Sequence, residues 1–149
     1  MGIAHYASLR SHDSETKVGC AIVNKDKHLL SVGYNGFPSG CNDKHLPVTR
    51  PDKYPFMVHA EQNALSNLVV RSSDQLTAYI THPPCEVCAK LLWQNNIRRC
   101  VIESLSTVNS FSDKDDIVFD FLVANGLKFD TIKTDGEMFK NVYNRLIGD

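Results

Sequence analysis

The most restrictive feature of this chain is a pair of short blocks, His59-Ala60-Glu61 and Pro84-Cys85-Glu86-Val87-Cys88, separated by about 25 residues. One imidazole and two thiolates form a ligand set suited to tetrahedral zinc, provided the fold carries both blocks to a single point. Three protein ligands leave a fourth position open for water, which marks a catalytic rather than a closed structural site. Glu61 follows the histidine closely and is not needed as a ligand, so it is placed to move protons to and from that water.

Two plainer readings compete. A lone C-x-x-C can be a redox pair, but it then stands in a thioredoxin-like context without a partnering H-x-E. A closed structural zinc site needs a fourth protein ligand. Cys20 and Cys100 lie in apolar strand-like runs and read as small core residues, while Cys41 falls in a polar loop. Five cysteines are an odd set, unlike a secreted disulfide framework.

The 149 residues suit a single domain spanning 1–149, large enough to bury a core without disulfides. The formal charge of -1 comes from interspersed acids and bases, so the chain lacks the basic footprint that holds long nucleic acids. A small anionic substrate needs only a local basic pocket. No apolar run approaches the roughly 20 residues of a membrane span, and Met1–Ser11 lacks the pattern of a signal peptide. The expectation is a cytoplasmic protein without a membrane partner.

Val18–Val23 and His28–Tyr34 are apolar runs of strand length around the polar Asn24-Lys25-Asp26-Lys27, which predicts a hairpin after a short helix over Ile3–Arg10. Gly36–Pro55 carries four prolines and no sustained period, the mark of a long, functional loop. Helical spacing predicts a helix over Ala60–Leu68 with His59 at its entrance. Strands are expected at Leu76–Thr81, Cys100–Ile102 and Leu127–Ile132, and helices at Cys85–Asn95, Asp115–Asn125 and Glu137–Ile147. A hairpin followed by alternating helix and strand means an α/β sandwich with a mixed sheet. Both ligand blocks then fall at helix N-termini, where unpaired amides and the macrodipole stabilise thiolates before a metal arrives.

Taken with further blocks, the chain closely resembles the deoxycytidylate deaminases of the cytidine deaminase superfamily. These blocks are Arg10-Ser11, Lys17-Val18-Gly19, Gly33-Tyr34-Asn35-Gly36-Phe37-Pro38-Ser39-Gly40, Asp52-Lys53-Tyr54-Pro55 leading into His59-Ala60-Glu61-Gln62-Asn63-Ala64, and Pro84-Cys85-Glu86-Val87-Cys88-Ala89-Lys90. The zinc motif is common to the superfamily; the Gly33–Gly40 block narrows the resemblance to the dCMP branch.

The resemblance implies a three-layer α/β/α cytidine deaminase-like fold with a mixed sheet of about five strands. It implies Zn2+ on His59, Cys85 and Cys88, and Glu61 as proton shuttle in the conversion of dCMP to dUMP for thymidylate synthesis. Asn35 would bind the sugar, the Ala60 amide the pyrimidine carbonyl, and Arg10, Ser11, Lys53 and Tyr54 the phosphate region. Gly36, Phe37, Pro38, Ser39 and Gly40 would meet a regulatory nucleotide, with dCTP activating and dTTP inhibiting a homohexamer and Mg2+ accompanying the triphosphates. Two segments depart from the pattern. His82-Pro83 stands where an aliphatic or aromatic pair is more usual, and Ser104–Lys114 matches poorly, leaving Phe111 as the ring available to cover substrate. A dCTP-accepting deaminase and a catalytically silent nucleotide-binding zinc protein are the rivals; an RNA adenosine deaminase would want a more basic surface.

Overall fold

The computed structural model describes residues 1–69, 74–103 and 113–134, with single positions at 137, 141, 144 and 145. The predicted hairpin forms from β1 (Gly19–Val23) and β2 (Leu29–Tyr34), paired antiparallel with Cys20 opposite Gly33. Its turn is organised by Asn24, whose Oδ1 accepts from the amides of Asp26 at 3.0 Å and His28 at 2.8 Å, the local bonding that makes asparagine a turn residue. β3 (Leu76–Ile80) joins the other side of β1 antiparallel, and β4 (Ile97–Glu103) and β5 (Lys128–Ile132) continue parallel, giving a mixed five-stranded sheet in the order β2-β1-β3-β4-β5.

Alternation along the strands assigns the layers. Cys20, Ile22, Ala78, Ile80, Cys100 and Ile102 share one face through the pairing register, and all belong to the buried core. Covering them are α2 (Ala60–Ser66), α3 (Glu86–Gln94) and α4 (Asp113–Ala124), which contribute Ala60, Ala64, Ala89, Leu92, Phe119 and Leu122 to the same core. The opposite face of the hairpin is covered by α1 (Gly2–Ser8). Two glycines show how close the layers come. A Cβ on Gly33 would lie 2.3 Å from the Ala60 carbonyl oxygen and the Ala64 amide nitrogen, and one on Gly19 would lie 1.8 Å from the Ala4 carbonyl oxygen. These adjacent-strand positions alternate in direction, so α1 and α2 flank the sheet from opposite sides.

Side chains stitch α2 to the edge strand. Asn63 Nδ2 donates to the Tyr34 carbonyl at 2.7 Å, Asn67 Nδ2 to that of Val32 at 3.1 Å, and Ser31 Oγ to that of Ala64 at 2.5 Å. Edge carbonyls that would otherwise stay exposed are thereby occupied.

The structure extends or trims several predicted elements. β4 begins at Ile97 rather than Cys100. The sequence pattern breaks at Arg98-Arg99, but Arg98 lies over the Trp93 ring at 3.7 Å and Arg99 Nε donates to Asp130 Oδ2 at 2.5 Å, so both cations are accommodated inside a strand. α2 ends at Ser66, short of Leu68. Within the long loop, Tyr54–Phe56 forms a 3-10 turn and Gly36 bridges Val58. Of the predicted closing helix, Glu137, Asn141, Asn144 and Arg145 are helical, and the remainder lies outside the described residues, as does Phe111.

Because α2 rests on Gly33, a methyl group there must push the helix off the sheet. Gly33→Ala is expected to lower stability by about 1–3 kcal/mol through overpacking, and to weaken metal retention because His59 moves with α2. Calorimetry and bound-metal analysis of the variant check this; unchanged unfolding and metal content would refute the close approach.

Candidate metal centre and catalytic cleft

The parallel β3–α3–β4 unit places the cysteine block at the carboxyl end of β3, where Pro83 and Pro84 end the strand and turn the chain into α3. Cys85 is the N-cap of α3 and its Sγ accepts from the Cys88 amide at 3.5 Å; Cys88, one turn in, is buried. His59 is the N-cap of α2, fixed there by Gln62, whose Oε1 accepts from the His59 amide at 2.8 Å. Packing of α2 against α3 then brings the two helix starts together.

His59 Nδ1 lies 3.6 Å from Cys85 Sγ and 3.4 Å from Cys88 Sγ, and all three ligand atoms fall within 4.8 Å of one another. Zinc bonds of about 2.3 Å to sulfur and about 2.0 Å to nitrogen at tetrahedral angles separate such ligands by about 3.6 Å. The residues therefore fit zinc, and His59, Cys85 and Cys88 form the one His/Cys/Asp/Glu group of this kind among the described residues. Three ligands leave the open position of a catalytic site.

Protons are unevenly shared among the three ligands. Cys85 is lowered to about 4, first by the hydrogen bond from Cys88 and further by His59 and the Cys88 amide. The Cys88 thiol holds the shared proton and is pushed up by that bond, by burial and by the charge of Glu61. His59 is raised because Cys85 accepts its hydrogen bond. Glu61, buried in the first turn of α2, is pushed up to about 7 by loss of solvent. Cys20 and Cys100 lie in the core beneath it; burial and the Glu61 charge raise both, Cys100 to about 12, so these thiols stay protonated and inert.

A cleft of about 260 Å³ opens over this centre. It gathers Asn35, Lys53, Tyr54 and Ala60 around His59, Glu61 and Cys85. Asn35 is buried at the end of β2: its Oδ1 accepts from the Val18 amide at 2.8 Å and its Nδ2 donates to the Thr16 carbonyl at 2.9 Å. Ser11 supports it from behind, donating to the Asn35 carbonyl at 2.8 Å, and does not line the cleft. Nor does Arg10, whose guanidinium lies 5.7 Å from the Tyr34 ring centre. Lys53 is buried with its Nζ 2.7 Å from Asp13 Oδ1 and 2.6 Å from Glu15 Oε2. Burial works against the Asp13 charge, yet its bonds from Lys53 and the Thr16 and Glu15 amides hold the carboxyl below its usual range.

A second cleft of about 300 Å³ lies on the far side of this ion cluster and is lined by Gly36, Phe37 and Ser39, with Asp43, Asn63 and Asn67. It shares Asp13, Lys53 and Met57 with the first. Pro38 and Gly40 belong to the same loop without lining it. Three residues of the catalytic cleft, Asp13, Thr16 and Arg50, carry no signal in the sequence as cleft residues, because only the fold brings four separate segments to one rim.

About one zinc per chain is expected on metal analysis, and Cys85→Ser should lower occupancy sharply; full occupancy in that variant would refute the ligand set. Glu61 also makes a pH prediction for the metal-free chain. Its carboxyl titrates near 7 when folded and from an ordinary value of 4.5 when unfolded, so it favours the folded state fully below about 4.5, and this contribution is lost as the pH rises through about 7. Metal-free Glu61→Gln should therefore gain stability over its parent at about pH 8, on the order of 3 kcal/mol at about 1.4 kcal/mol per pKa unit, and little at about pH 5. Denaturant titration at both pH values measures it; an equal difference at the two would refute the buried-carboxyl origin.

Comparison with known proteins converges on this centre. The profile of the cytidine and deoxycytidylate deaminase zinc-binding region matches residues 1–104. A probable deoxycytidylate deaminase of Caenorhabditis elegans is 43% identical over 101 residues, which is 65% of this chain and 51% of that protein. The deoxycytidylate deaminase of Homo sapiens is 36% identical over 110 residues, 70% of this chain and 62% of its own length. The chain thus spans about half to three fifths of the curated relatives it matches. The crystal structure of dCMP deaminase from cyanophage S-TIM5 in complex with dCMP and dUMP aligns with a TM-score of 0.68 and 28% identity, covering 87% of this chain and 91% of that one. With the ligand triad, the buried glutamate and the mixed five-stranded sheet already in place, these matches make the chain a member of the cytidine and deoxycytidylate deaminase zinc-binding family.

Proposed function

We propose that this chain is a zinc-dependent hydrolase that deaminates dCMP to dUMP. The observation that carries the reading is a buried carboxyl, Glu61, in the same cleft as a His59, Cys85 and Cys88 triad of zinc spacing. When bound there, zinc supplies the Lewis acidity that brings the pKa of a coordinated water down to about 7. The protein's own contribution is proton traffic and orientation. The Glu61 carboxylate accepts a proton from water and passes it to the ring nitrogen beside the reacting carbon; the second proton goes to the departing amine. One water is consumed, the carbon–nitrogen bond to the exocyclic amine breaks, ammonia leaves and a uracil carbonyl remains. A carboxyl that burial makes easier to protonate suits both halves of this shuttle.

Orientation falls to groups at the rim. With one lone pair of Asn35 Oδ1 taken by the Val18 amide and the two Nδ2 donors directed at Thr16 and Asp13, the spare capacity of this side chain is a second lone pair, suited to accept from a sugar hydroxyl. Ala60 begins α2, where helix amides have no intrahelical partner, and its N–H is suited to the pyrimidine carbonyl. A cytoplasmic place in thymidylate supply fits these assignments. Among the described residues no helix is long and apolar enough to cross a membrane.

The second cleft is our candidate for a regulatory triphosphate with Mg2+, dCTP activating and dTTP inhibiting a homohexamer. Its support is the wall of Asp13, Lys53 and Met57 that it shares with the catalytic cleft, a common element that two ligands can bias.

Glu61→Ala should keep its zinc while turnover falls by about 10²–10⁴-fold; loss of zinc together with the carboxylate would refute its role as shuttle. Loss of cytosine absorbance on dCMP, deoxycytidine and dCTP, measured separately with magnesium, should rank dCMP first. In the same assay dCTP should lower and dTTP raise the KM for dCMP several-fold or more, matching coupling of about 1–3 kcal/mol. Equal efficiency on deoxycytidine would refute nucleotide specificity, and kinetics unmoved by millimolar effectors would refute the regulation.

A further inference from the structure

Substrate charge must be met somewhere on the cleft rim. Among the described residues that line the cleft, the cationic and imidazole side chains are Arg50, Lys53, His59 and His82. His59 belongs to the metal triad. Lys53 is spoken for: its ammonium is buried between Asp13 and Glu15 at 2.7 and 2.6 Å, so its charge is cancelled within its own hydrogen bonds.

Arg50 differs in each respect. Its side chain is 46% exposed, and its Nε stands 3.9 Å from Glu15, beyond hydrogen-bond distance. Nη2 donates to Thr16 Oγ1 and the main-chain amide donates to Glu15 Oε2 at 3.0 Å, so the loop is anchored while most of the guanidinium fork stays open. His82 is half-buried on the wall between β3 and Cys85, near enough that the Arg50 charge, after burial itself, disfavours its protonation. An arginine fork beside an imidazole N–H donor is a pair suited to the oxygens of a phosphate monoester.

We propose that Arg50 and His82 form the phosphate subsite of this cleft, taking the monoester of a pyrimidine nucleotide whose base reaches Glu61. The assignment rests on the deaminase reading for the identity of the base and deepens it by naming the groups that select a nucleotide over a nucleoside. It also gives a task to His82, which lines the cleft without belonging to the metal triad. Lys53 serves the same subsite indirectly: its 2.6 Å contact takes up Glu15 Oε2, which stands 3.9 Å from Arg50 Nε.

The test is equilibrium binding of dUMP and of deoxyuridine to the zinc-loaded protein, read as the ratio of their affinities. Arg50→Ala should reduce that ratio by about tenfold to a hundredfold, the range of a lost charge-assisted hydrogen bond. His82→Leu should reduce it by about threefold to tenfold. Arg50→Lys should recover only part of the loss, since a point charge replaces a fork. A ratio unchanged in Arg50→Ala, a parallel fall for both ligands, or a parent protein that binds dUMP no better than deoxyuridine would overturn the subsite. Turnover is scored separately. A parent that favours dUMP by this ratio yet deaminates no cytosine nucleotide supports the subsite and refutes the deaminase reading.

Discussion

The centre depends on how closely α2 lies against the hairpin. Gly33 lets the backbone of Ala60 and Ala64 approach the sheet to a distance that no Cβ would tolerate, and the bonds from Asn63, Asn67 and Ser31 then lock the helix in register with β2. His59 and Glu61 owe their placement to this packing. They are the N-cap and first turn of α2, so their positions are those of the helix. A shift of the helix by the width of a methyl group would open the 3.4–3.6 Å spacing to the two sulfurs.

The same packing sets the chemistry. Small residues on the core side of the sheet and of α2 and α3, among them Ala60, Ala64, Ala78 and Ala89, pack closely enough to bury Glu61. Desolvation there lifts a carboxyl that at the surface would stay ionised. A few ångströms away, the shared proton of the Cys85–Cys88 pair and the start of α3 pull the opposite way and favour a thiolate. One compact site thus holds an acid raised by burial beside a thiol lowered by hydrogen bonds. A divalent ion would displace the shared sulfur proton on binding, coupling metal affinity to pH.

On the rim, charge is apportioned by burial. Lys53 is drawn inward by Asp13 and Glu15 and becomes part of the wall between two clefts. A buried cation with two acid partners is held by them, and removing both acids would leave it uncompensated. Arg50, on the outer side of the same loop, keeps its fork toward solvent. Similar charges in neighbouring positions therefore have opposite uses, decided by what lies behind each.

His59, Glu61, Cys85 and Cys88 were legible in the sequence because metal chemistry tightly restricts both residue type and spacing. The hairpin and the alternating helices and strands were legible for a similar reason, since period and turn residues act locally. The first three residues of β4 were not, because Arg98 and Arg99 interrupt the apolar run and the acid that pairs with Arg99 lies on β5, 31 positions later, outside any window of sequence. Lys53 has the sequence context of a surface cation, yet its neutralisation depends on Asp13, 40 positions earlier in the chain. Sequence alone named the four residues that meet at this centre. Tertiary structure decided which charges remain available to a ligand, because availability depends on burial and on partners contributed by distant segments.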